Sequence, residues 1–161
     1  MNLDFSSEQN MLRDSAAKFL ANEFNFDKVR ELEDSEAGYS QELWEHMAGL
    51  GWLGLPFPEE SGGFGGTFID LAIIQEEIGK ALLPSPYFST IVQCGTLLLE
   101  GASDDQKSDL IEQIASGALI MALAQYEEEA SFLESGITMP ATSSDDAYEL
   151  NGKKFFVMDA N

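Results

Sequence analysis

The chain has 161 residues, 44% of them apolar, which is enough to bury one hydrophobic core and begin a second unit. Its 29 acidic and 8 basic residues give a formal net charge of -21, a field that repels phosphate backbones and anionic lipid surfaces. We therefore expect a protein that binds neither nucleic acid nor membranes. The one cysteine, Cys94, excludes an internal disulfide, and the sequence shows neither a secretion signal nor a membrane-spanning run. For these reasons we expect a soluble, cytoplasmic protein.

Helical signals account for the first fifty residues. Ser6 and Gln9 form a capping-box pattern that predicts a first helix over residues 7–24. A second helix, short and charged, is expected after Asp27. Ser40 then precedes a third helix, whose apolar residues recur at steps of three or four.

A loop rich in proline and glycine, residues 55–66, leads into the central helix. Its two prolines fix the backbone angle φ, and its four glycines permit backbone conformations that are closed to other residues. We therefore interpret it as a rigid corner rather than a plain connector. Thr67 with Asp70 is a second capping-box pattern at the start of the helix. We expect this helix to bury a single apolar stripe: Phe68, Leu71, Ile74, Ile78 and Leu82.

Two more helices complete the helical part. A fifth is predicted from Pro86 to about Glu100, and its nearly continuous apolar character suggests burial on most sides. Ser103 with Gln106 opens a sixth helix that ends near residue 117.

Beyond residue 117 the pattern changes to β structure. Residues 118–124 form an apolar run of strand length, and Asn151 followed by Gly152 favours a hairpin turn. Residues 142–146 are expected to form a solvated loop. The prediction is a mainly α fold, an orthogonal or up-down bundle of about six helices over residues 1–117, followed by an incomplete β segment over 118–161.

Isolated residues carry little chemistry. The single histidine, His46, is expected on the surface, and Cys94 lies in an apolar helix where inert packing is the simplest interpretation. The acidic run Glu127 to Glu129 is expected to be solvated. With one histidine, neither a catalytic triad nor a histidine-rich metal site can be assembled.

Six segments follow one another in a distinctive order and spacing: residues 5–15, 50–66, 75–79, 101–117, 121–124 and 148–157. In that order they resemble the N-terminal helical domain and the first strands of the middle β-domain of the acyl-CoA dehydrogenase family.

The resemblance implies the chemistry of that family. Its members are FAD flavoproteins that introduce an α,β double bond into an acyl-CoA thioester, with a glutamate of the C-terminal domain taking the α-proton. We assign no catalytic residue among these 161, and expect neither activity nor retained FAD from them alone. For the parent enzyme, the resemblance implies an acyl-CoA substrate, an electron acceptor and a homo- or hetero-oligomer.

Matched positions give candidate site residues. The family's flavin-contacting segments, Thr-Glu-Pro followed by Gly-Ser-Asp and later Trp-Ile-Thr, fall at residues 126–131 and 156–158. Here the sequence reads Tyr-Glu-Glu-Glu-Ala-Ser and Phe-Val-Met, and both departures remove hydroxyl or indole groups that the family turns toward the flavin. The flavin-side candidates are Leu123, Gln125, Tyr126, Phe156 and Met158, which could equally pack the interior of a barrel.

The acyl-side candidates lie on the fifth helix. Ile91, Cys94 and Leu98 share one face, and in the family the equivalent helix lines the acyl pocket; ordinary core packing is the alternative. Two other functions stay open for the whole chain: a non-catalytic subunit or truncated paralogue, and a free-standing acidic helical interaction module.

Overall fold

The computed structural model describes residues 4–128, 133–145 and 147–160. These residues form six α-helices and one two-stranded antiparallel sheet, so the predicted mainly α fold is confirmed. None of the described helices is both long and apolar enough to span a membrane. The helices are α1 Ser7–Glu23, α2 Phe26–Glu33, α3 Gln41–Gly49, α4 Phe68–Ala81, α5 Gly95–Gly101 and α6 Asp104–Ala115.

Helices α1 and α4 pack against each other. Each begins with the predicted capping box, at Ser6 and at Thr67. The middle of the predicted α4 stripe is buried, but Phe68 at its start is 77% exposed and Leu82 after its end is also exposed. The stripe prediction is therefore wrong at both ends: Phe68 is the first residue of α4, and Leu82 is its C-cap, which adopts the left-handed conformation with φ 55°.

The loop before α4 folds back on itself, as a rigid corner should. The backbone N–H groups of Phe64 and Gly65 donate to Gly54 O at 3.1 Å and to Phe57 O at 2.8 Å. Gly51 has φ +80°, and a Cβ there would stand 2.8 Å from the Phe64 ring. The positive φ favours glycine at residue 51, and a larger residue would also displace the exposed Phe64 ring.

The predicted fifth helix consists of two kinds of helix. Residues Phe88–Cys94 form a π-helix, and α5 continues from it. Ser89, Thr90, Ile91 and Cys94 are all buried, so the predicted burial on most sides is confirmed for the π-helical part. In α5 the burial is less complete, because Leu97 is exposed.

The β part differs most from prediction. Residues 118–124 form no strand, and the hairpin pairs β1, Ala141–Ser144, with β2, Ala147–Leu150. Ser144 pairs with Ala147, so the chain reverses between these two residues and not at Asn151 and Gly152. Asp145, at φ 50°, adopts the left-handed conformation that aspartate tolerates. The solvated loop predicted over 142–146 is therefore strand β1 and its turn; residue 146 itself lies outside the described residues.

Candidate functional site

An apolar cavity of about 350 Å³ lies between α5, α6 and the segment that follows α6. It brings together two acyl-side candidates, Cys94 and Leu98, and one flavin-side candidate, Leu123. Ile91 does not line it, because its side chain is buried in the main core. The full lining is Cys94, Leu97, Leu98, Gly101, Ala102, Gln106, Leu110, Met121, Ala122 and Leu123.

The cavity wall formed by the segment after α6 is held in place by Thr90. The Thr90 hydroxyl donates to Met121 O and accepts from Met121 N, both at 3.0 Å. Thr90 is fully buried in the π-helix, four residues before Cys94. One side chain thus ties the two walls of the cavity together.

Gln125 and Tyr126, two flavin-side candidates, lie next to the last described segment of the chain. Tyr126 forms an antiparallel bridge with Phe155, whose N–H donates to Tyr126 O at 2.8 Å. Lys154 Nζ donates to Gln125 O at 3.3 Å. The two stretches that carry the predicted flavin-side residues are therefore neighbours.

Phe156 and Met158, the remaining flavin-side candidates, follow Phe155 in the chain, and their side chains are exposed. Phe156 is 78% exposed, with φ 53°, and Met158 is also exposed. A bulky residue with positive φ is a backbone outlier. Neither side chain can donate a hydrogen bond to a ligand.

Glu127 is the most strongly perturbed carboxylate of the region. It accepts from Thr138 N and Oγ1, from Met139 N at 3.0 Å and from Lys154 Nζ at 2.8 Å. The Lys154 bond, followed by those of Thr138 and Met139, lowers the pKa of Glu127 to about 2. Its side chain is 11% exposed, so the expected solvation of this residue is wrong; Glu129 lies outside the described residues.

His46 and Cys94 are the remaining side chains that could take part in chemistry. His46 is exposed, as predicted, and meets the Phe19 ring edge to face at 6.3 Å. Cys94 is buried, and burial raises the pKa of its thiol. Across residues 4–128, 133–145 and 147–160, no group of three His, Cys, Asp or Glu side chains could hold a metal ion.

Sequence reasoning missed Thr90 and Glu127 as organising residues. A buried threonine in an otherwise apolar helix is a weak signal for the first. For the second, the adjacent pair Lys153 and Lys154 is the one place where cations adjoin in the sequence, and Lys154 lies 27 residues from its partner. Only the fold brings those two charges together.

Comparison with known proteins gives matches over most of the chain. The family model described as "Acyl-CoA dehydrogenase, N-terminal domain" matches residues 6–118. Acyl-CoA dehydrogenase FadE12 of Mycobacterium tuberculosis is 34% identical over 158 residues, covering 94% of this chain and 39% of that protein.

Two solved structures superpose closely. The ChsE4–ChsE5 complex from Mycobacterium tuberculosis matches with a TM-score of 0.81 at 27% identity, over 96% of this chain and 39% of that one. PigA, solved with FAD and proline, matches with a TM-score of 0.80 at 26% identity, over 98% of this chain and 42% of that one. The chain thus spans about two fifths of the length of these proteins, and through the matched N-terminal domain it belongs to the acyl-CoA dehydrogenase family.

Proposed function

We propose that this chain is the N-terminal portion of an FAD-dependent acyl-CoA dehydrogenase and supplies one wall of its acyl-binding pocket. The parent enzyme would desaturate an acyl-CoA thioester between the α and β carbons and pass the electrons to an acceptor. In this proposal residues 1–117 are the N-terminal helical domain and residues 118–161 begin the middle β-domain. The end of the family-model match at residue 118 supports that division.

The observation that carries the proposal is the apolar cavity at Cys94, Leu98 and Leu123. Its volume, about 350 Å³, lies within the range of small-molecule sites, and aliphatic side chains dominate its lining. Such a wall binds an acyl chain by removing its surface from water. No carboxylate or histidine is among the described lining residues, so we expect no desaturation by these 161 residues alone.

A neutral acyl thioester tests the cavity directly. We expect octanoyl N-acetylcysteamine thioester, which avoids repulsion by the net charge, to shift the NMR methyl signals of Leu98 and Leu123. Leu98→Phe should reduce its affinity at least about fivefold, because the larger ring occupies the cavity. Leu50→Phe is the control, since Leu50 is exposed and does not line the cavity. Equal affinity of both variants for the thioester would contradict the proposal.

The flavin-side residues do not fit FAD well as they stand. The side chains of Phe156 and Met158 cannot donate a hydrogen bond, and Lys154, which donates to Gln125 O, is already paired with Glu127. We therefore expect the purified 161-residue chain to be colourless after incubation with FAD and gel filtration. A yellow protein fraction with flavin absorbance would contradict this.

An association role is the second candidate, and one observation favours it. Tyr148, Leu150 and Phe156 all present exposed apolar side chains in the last twenty residues. Exposed apolar side chains concentrated in one segment favour association with another protein surface. On this proposal the parent is a non-catalytic subunit of a homo- or hetero-oligomer. Light scattering should then detect dimers of the unmutated chain. The double substitution Tyr148→Lys with Phe156→Lys should convert these dimers to monomers. A monomeric unmutated chain would rule out the association role.

A further inference from the structure

The buried hydroxyl of Thr90 has a role that ordinary packing does not require. We propose that Thr90 is a positioning residue that holds Met121, and with it Ala122 and Leu123, in place as one wall of the cavity. The link to acyl binding rests on the proposed function, whereas the positioning itself does not.

The hydrogen-bond geometry supports this role. The Thr90 hydroxyl satisfies both backbone groups of Met121, the N–H and the C=O, each at 3.0 Å. An adjacent β-strand does the same for a residue it pairs with, but residues 118–124 form no strand. The side chain of Thr90 takes the place of that strand partner.

Hydrogen bonds hold the segment on both sides of Met121, and they show which stretch of chain relies on Thr90. Leu119 N donates to Gln113 O at 3.1 Å, and Tyr126 O accepts from Phe155 N at 2.8 Å. Met121 lies between these points, and it begins the run of three residues that lines the cavity. Gln125 O also accepts from Lys154 Nζ at 3.3 Å, so loss of the Thr90 contact would release the wall between residues 119 and 125.

The local helix is also unusual. Thr90 lies within the π-helix that runs to Cys94, and π-helical turns recur at functional sites. Thr90 and Cys94 thus belong to the same rigid element. The hydroxyl bond joins that element directly to the opposite wall of the cavity.

Ser89 provides a matched control. It is as fully buried as Thr90, but its hydroxyl donates to Pro86 O at 3.1 Å, within its own helical turn. Ser89→Ala therefore removes a buried hydroxyl without touching Met121. Thr90→Val removes the hydroxyl while keeping the shape of the side chain, whereas Thr90→Ser keeps the hydroxyl and removes only the methyl group.

The test is amide hydrogen exchange and methyl NMR on the 161-residue chain and these three variants. We expect Thr90→Val to speed exchange of the Met121 amide about 10-fold relative to the Ile74 amide in the core. It should also shift the Leu98 and Leu123 methyl signals. Thr90→Ser and Ser89→Ala should leave both readouts at wild-type values.

The opposite outcomes overturn the proposal. They are unchanged Met121 exchange and methyl shifts in Thr90→Val, or equal changes in Ser89→Ala. Titration with octanoyl N-acetylcysteamine thioester separates the two proposals. If the wild-type chain fails to bind it, the acyl function fails, while the exchange result still decides whether Thr90 positions the wall.

Discussion

Glu127 shows at the residue scale how a single carboxylate can organise the second part of the chain. Its two oxygens link the segment after α6 to Thr138 and Met139 on one side and to Lys154 on the other. These bonds favour the charged form, which is why the pKa falls from 4.5 to about 2. Stability that depends on this charge is complete above pH 4.5 and is lost as the pH falls toward 2.

The pH dependence can be measured at the two backbone amides that donate to Glu127. We expect the NMR amide signals of Thr138 and Met139 to keep their positions from pH 7 to about 4.5, and then to titrate with a midpoint near 2. Glu127→Gln should abolish this titration. Glu128→Gln is the control, because Glu128 is exposed. A midpoint close to 4.5 for the wild-type signals would mean that the bonds to Glu127 do not form.

At the scale of elements, the glycine-rich loop packs closely against the start of α5 at Gly95. A Cβ at this position would stand 2.7 Å from the Phe57 ring. Phe57 is itself fully buried, so its ring has little room to move. The rigid corner before α4 and the helix beside the cavity therefore meet at one tightly packed contact.

Gly95→Ala should accordingly destabilise the chain by about 1–3 kcal/mol, the usual range for overpacking a core. Thermal or urea denaturation measures the change. Gly79→Ala is the matched control, because Gly79 lies in α4 and a Cβ added there would have nothing within 4 Å. It should raise stability by about 0.5–1 kcal/mol through helix propensity. Equal effects of the two substitutions would show that Phe57 does not pack against Gly95.

The difference between local and long-range contacts explains which elements the sequence could predict. Capping boxes are local, so Ser6, Thr67 and Ser103 indicated three helix starts that the structure reproduces. Strand pairing is not local. The Asn151–Gly152 dipeptide indicated a turn, but pairing of residues 141–144 with 147–150 placed the reversal earlier, where Asp145 adopts positive φ.

At the scale of the whole molecule, the most prominent property is the large negative net charge. With a net charge of -21, the folded chain repels itself, and salt bridges in the described residues are few. Raising NaCl from about 0.1 M to about 1 M shortens the Debye length from about 10 Å to about 3 Å. We expect the Tm to rise by about 2–4 °C, equivalent to about 1 kcal/mol at this size. A flat or falling Tm would contradict net self-repulsion.

The candidate site could be predicted only in part. Cys94 and Leu98 are one helical turn apart, so their proximity follows from sequence spacing. That Leu123 joins them depends on how the segment after α6 returns across the helix, which Thr90 controls by a contact over 31 residues. Ile91 shows the opposite case, since helical spacing placed it with Cys94 but packing turned it into the core.

The most direct test of the acyl-site proposal is the measurement of intermolecular NOEs between the chain and octanoyl N-acetylcysteamine thioester. The account predicts NOEs from the octanoyl methyl and methylene protons to the methyl groups of Leu98 and Leu123. NOEs confined to exposed apolar residues such as Phe68 or Phe156, with none to Leu98 or Leu123, would contradict it.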